Sequence, residues 1–75
     1  MKGGEDLYLR LKFEITRKGY SIEEFAKAIN VSEKTLRNKI NGATDFTWSE
    51  CLLIRKTLGT EISLEELFEK EEKAS

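Results

Sequence analysis

Between residues 31 and 42 the chain reads VSEKTLRNKING, which sets Lys34, Arg37 and Lys39 against one acid, Glu33, with amides at Asn38 and Asn41. Ammonium and guanidinium groups only donate hydrogen bonds, a carboxylate only accepts, and a carboxamide does both. On one short helix such a set has two uses. It can meet the donors and acceptors in a nucleic-acid groove. It can equally be a solvated face, on which Glu33 and Arg37, four residues apart, pair for about 0.2–0.5 kcal/mol.

Other chemistry is thinly supplied. The chain has no histidine, so the commonest general base and metal ligand is missing. Its single cysteine, Cys51, has no histidine to activate it and no second cysteine to bridge. No metal cluster or phosphate loop is legible, and carboxylate catalysis would need a pocket that so short a chain has little room to build. The expectation is a protein that is not an enzyme, with no cofactor, no metal and no small-molecule substrate. No apolar run approaches the length that spans a bilayer, and MKGGEDLYLR lacks the apolar stretch of a signal peptide. A lone cysteine fits a reducing compartment. A cytoplasmic protein with no membrane partner is expected.

Seventy-five residues make one domain, near the lower end of what a single hydrophobic core sustains. Apolar residues at 39% and charged residues at 36% place the chain with globular proteins. The net charge of −1 conceals a division. Residues 10–42 hold eight basic and four acidic side chains, a net of +4, whereas 61–75 hold six Glu and two Lys, a net of −4. The acidic end reads as a solvated helix terminus. The basic middle is the part suited to a polyanion.

The elements that must position these groups are written in helix-start chemistry. Ser21 with Glu24, Thr47 with Glu50, and Ser63 with Glu66 have capping-box spacing, and Ser32 can cap before Thr35. Tyr20 and Phe25, Val31 and Leu36, Phe46 and Cys51, and Ile62 and Leu67 bracket those starts as apolar staples. Gly19, Gly42 and Gly59, with Asn30, stand where left-handed helix ends fall. The spacing predicts helices near 6–18, 22–29, 33–40, 48–58 and 64–72, within a helical domain over 6–72, a flexible start at 1–5 and a frayed tail at 73–75. LYLRLKFEI alternates like a strand, but no other segment offers a pairing partner, so a helix is expected. Its Leu7, Leu11 and Ile15 then share one face beside Tyr8. Leu9 and Phe13 are left needing a second surface, inside the domain or between subunits.

The second and third helices carry the most specific spacing. Phe25, Ala26, Ile29, Val31 and Leu36 can fill one small core across the three-residue turn NVS, with Ala26 at the crossing point. So short a turn forces a steep crossing, the helix-turn-helix arrangement, and leaves the start of the third helix projecting. The segment YSIEEFAKAINVSEKTLRNKINGATDFTWSECLLIRKTLG resembles the Cro and phage-repressor (XRE-like) helix-turn-helix family, over roughly residues 8 to 68. Within that family it looks most like short phage-type regulators with endings such as TLSRKINGKSDFT.

The resemblance implies an all-α, five-helix lambda-repressor-like DNA-binding domain whose third helix enters the major groove. It further implies a small phage or prophage-type, repressor-like transcriptional regulator that binds double-stranded DNA sequence-specifically, as a homodimer. Positions matching the family's base-reading residues are Glu33, Lys34, Arg37 and Asn38. Lys34 and Arg37 suit guanine, Asn38 adenine and Glu33 the cytosine amine. Positions matching phosphate contacts are Ser32, Thr35, Lys39, Asn41 and Gly42, with capping as the alternative role of Ser32. Lys27, Arg17 and Lys18 lie between a DNA flank and plain solvent exposure. Ile22 departs from the family, which often opens the second helix with a phosphate-binding glutamine, and Asn30 replaces a turn glycine. With one clamp fewer, affinity is expected to be modest and strongly salt-dependent.

The rival reading is a helix-turn-helix body used as a protein-interaction module, a partner or antagonist of a regulator. Ile22, the acidic total and the spare apolar residues Leu9, Phe13 and Trp48 favour it. Trp48 is expected in the core or at a subunit interface.

Overall fold

A computed structural model describes residues 7–70, and among these every regular element is helical. The helices are α1 (Leu9–Arg17), α2 (Ile22–Ala28), α3 (Glu33–Ile40), α4 (Trp48–Leu58) and α5 (Leu64–Leu67). The expected flexible start and frayed tail lie outside the described residues.

Local chemistry accounts for the boundaries. Ser21 and Thr47 each accept a hydrogen bond from the amide three residues on, while Glu24 and Glu50 reach back to the cap amides, completing two capping boxes. Ser32 and Ser63 cap α3 and α5 in the same way from one side only. In the last case the returning carboxylate is used elsewhere, because Glu66 lies 3.5 Å from Arg10. Asn30 takes a left-handed conformation at φ 66°, as expected of a residue standing in for glycine in the turn. Gly42 is the stricter case: its φ is +91°, and a Cβ built there would fall 2.8 Å from the Leu7 side chain.

Two expected boundaries move. α1 begins at Leu9 rather than near residue 6, because Leu7 and Tyr8 are not helical; both amides donate to the Ile40 carbonyl, at 2.9 and 3.0 Å. α5 ends at Leu67, with Phe68 as its C-cap, instead of running to 72. Residues 71 and 72 of that expected helix lie outside the described residues.

The core forms around α1, which packs against α2, α3 and α5, while α3 packs chiefly against α2. Leu11, Ile15, Phe25, Leu36, Ile54 and Leu67 are fully buried. The strand-like alternation of α1 resolves into two faces. Leu11 and Ile15 go inward with Tyr8, whereas Leu9 and Phe13 remain outside, the latter 62% exposed. The second surface they need is therefore not within the described part of the domain. Trp48 is 68% exposed and is not a core residue, contrary to one of its two expected placements. Other aromatic rings do pack: Tyr8, Phe46 and Phe68 lie with centroids 5.1–6.2 Å apart in edge-on contacts, and Tyr20 meets Phe25 edge-on at 5.1 Å.

Candidate nucleic-acid interface

α3 buries Leu36 and Ile40, and at 100° per residue Lys34 and Asn38 fall opposite them, with Arg37 and Asn41 on one flank. Lys34 and Arg37 are exposed; Glu33 and Asn38 are half-buried. The four expected base-reading residues thus occupy two turns of one capped helix, a single short turn away from α2. Lys34 makes no ion pair among the described residues. Arg37 does: its guanidinium lies 2.8 Å from the Glu33 carboxylate. Both side chains are partly exposed, so the pair is weak and Arg37 can exchange it for another acceptor at a cost of about 0.5 kcal/mol or less.

The expected phosphate-binding set behaves less uniformly. The Ser32 hydroxyl accepts from the Thr35 amide at 3.1 Å and donates to the Thr35 hydroxyl at 2.8 Å, so both serve the helix start. The Gly42 amide closes the end of α3 on the Lys39 carbonyl at 3.2 Å. The Asn41 side-chain oxygen accepts from the Ala43 amide at 2.9 Å, leaving its NH2 for other partners. Lys39 is the clearest surprise. Its ammonium donates to the Asp45 carbonyl at 2.9 Å, lies 3.2 Å from the Glu50 carboxylate and keeps only 13% of its side-chain surface exposed. It clasps the end of α3 to the start of α4 and is already occupied.

Glu50 completes that clasp. Partial burial alone would raise its pKa, but the Thr47 amide and the Lys39 ammonium together outweigh it and hold the carboxyl below its ordinary range. Burial and the Glu50 charge both push the neighbouring Cys51 thiol up, which keeps it protonated and unreactive near neutral pH.

Of the basic residues left open between DNA flank and solvent, Arg17 lies 3.2 Å from Glu14, whose residue surface is only 3% exposed. Arg17 is therefore the counter-charge of a buried carboxylate. Lys27 lies 4.0 Å from Glu23, and Lys18 has no ion pair among the described residues. Ile22 packs against the core, as an apolar residue in place of a polar clamp would.

Sequence reasoning missed the Lys39–Glu50 clasp, for which no spacing rule exists across a loop. It also missed that Leu52 and Leu53 are exposed alongside Trp48. That second feature had a signal: Trp48 and Leu52 are four apart on a helix whose Ile54 and Leu58 already supply the inward stripe. Comparison of the chain with protein-family models, with curated proteins and with solved structures finds no match.

Proposed function

We propose that this chain is a small sequence-specific DNA-binding regulator of the lambda-repressor-like kind, acting in the cytoplasm of a bacterial or phage-infected cell. It presents the outer face of α3 to the major groove of double-stranded DNA, as one half of a homodimer. The observation that carries the reading is the placement of Lys34 and Asn38 on the side of a capped α3 opposite Leu36 and Ile40, with Arg37 on the adjoining flank. That arrangement offers guanine and adenine edges donors of the right type, on an element about as wide as the groove admits. Lys34 is available at once, and Arg37 becomes available when Glu33 releases it. Few phosphate contacts accompany them, since Lys39 and the Gly42 amide are engaged, so binding is modest and its salt dependence is shallow for a DNA-binding protein.

Selection of bound sites from a random duplex library tests the reading directly. The expected result is an enriched motif containing guanine, repeated as two half-sites about one helical turn apart. Recovery of unenriched sequence at low salt would abandon it. The competing reading, an interaction module on the same scaffold, is favoured by one observation: both Arg37 and Lys39 are paired with acids of the same chain.

A further inference from the structure

The outer face of α4 carries side chains that neither the core nor the α3 face uses. Trp48 is 68% exposed, Leu52 45% and Leu53 42%, while Ile54 and Leu58 of the same helix are buried. Trp48, Leu52 and Lys56 follow one another at four-residue steps and so form one stripe, about 12 Å long, with Ser49 and Leu53 beside it. The single acid of α4, Glu50, is tied to Thr47 and Lys39, and Lys56 has no ion pair among the described residues. A capping box at Thr47 and a left-handed Gly59 fix both ends of the helix. The stripe is rigid, mostly apolar and basic at one end.

We propose that this stripe is the surface on which a second copy of the chain packs, with α4 antiparallel to α4 about a twofold axis at Leu52. The order of the residues argues for that occupant. Trp48 and Lys56 stand one turn from Leu52 in opposite directions, so the antiparallel arrangement lays each Trp48 ring beneath the Lys56 ammonium of the other copy. Leu52 then meets its own counterpart. A cation over an indole face is attractive, and the contact occurs twice in a closed, self-complementary interface. Parallel packing would instead set lysine against lysine. The other exposed apolar pair, Leu9 and Phe13, lacks this complement, because Arg17 at the next step is bound to Glu14. Three apolar side chains per copy fall short of the roughly 800 Å² per partner of a standard interface, so the dimer is weak and depends on concentration. The proposal stands whether or not the chain binds DNA.

Sedimentation velocity on the full chain, from about 1 μM to about 1 mM, should show a monomer converting to a dimer. Leu52→Glu should remain monomeric throughout with unchanged far-UV circular dichroism. Trp48→Ala and Lys56→Glu should each raise the dimer dissociation constant about tenfold. In a Cys51→Ser background, Leu52→Cys should yield a disulfide-linked dimer under mild oxidation, and Phe13→Cys should not. The proposal is overturned by a wild-type chain that stays monomeric at the highest concentration, or by a folded Leu52→Glu variant that still dimerises. Cross-linking through position 13 and not 52 would overturn it too.

Discussion

Arg37 has two acceptors to choose between, the Glu33 carboxylate it now holds at 2.8 Å and, in the proposed complex, a base edge. Replacing Glu33 with Gln removes the competitor and a negative charge that phosphates repel. Gel-shift titration should then show tighter binding to all duplexes and a smaller ratio between cognate and random sites. Arg37→Ala and Asn38→Ala should act in the opposite sense, each losing about 1–3 kcal/mol of preference for the cognate site with the melting temperature unchanged. Lys39→Ala tests a different role. Its ammonium is committed to Asp45 and Glu50, so the expected outcome is a lower melting temperature, with any loss of DNA affinity following from the loosened α3–α4 junction. Arg17→Ala should likewise destabilise the fold, by about 1–3 kcal/mol, because it strips the partner from a carboxylate that is nearly out of water.

At the scale of elements, the junction between α3 and α4 has a pH signature. The Glu50 carboxyl is more acidic folded than unfolded, so the unfolded chain takes up its proton first as pH falls. The stabilisation is complete above the ordinary carboxyl value of 4.5 and is lost as pH drops through the lower folded value. Thermal melts of Glu50→Gln should lie below wild type at neutral pH, and the gap should close on acidification below 4.5. Thr47→Ala, which removes the cap itself, should cost about 1 kcal/mol at any pH. The helix starts were legible in the sequence because capping is local: an oxygen and an amide three residues apart find each other with no help from the rest of the chain. The lengths of α1 and α5 were not, because each is trimmed by a distant partner. The Ile40 carbonyl captures the amides that would have opened α1, and Phe68 turns toward Tyr8 and Phe46 instead of continuing α5.

For the molecule as a whole, the same division explains how much of the candidate interface could be read in advance. The face of Lys34, Arg37 and Asn38 follows from helical periodicity, and the structure brings them together. The Glu33–Arg37 pair, at four-residue spacing, was also readable. The fate of Lys39 was not, since it depends on where the loop from 41 to 47 delivers Glu50. Charge follows a similar logic: the basic middle and acidic end meet through Arg10 and Glu66, which draws part of the opposing field onto the body itself. In the proposed complex only a few cations remain for phosphate. The logarithm of the binding constant should therefore fall against the logarithm of salt with a slope of about −0.9 per contact, and fluorescence anisotropy on a labelled duplex should give a slope of only about −2 to −4 per subunit.

The Ile40 carbonyl accepts from both the Leu7 and the Tyr8 amides, so one oxygen at the end of α3 anchors the chain ahead of α1. Hydrogen exchange at these two amides should thus be governed by one opening event and respond together to any change in the last turn of α3. A loop substitution such as Gly42→Ala, which places a methyl group against Leu7, should speed exchange at residues 7 and 8. Fraying at the end of α3 and release of Leu7 and Tyr8 should then occur as one cooperative event, linking segments more than thirty residues apart.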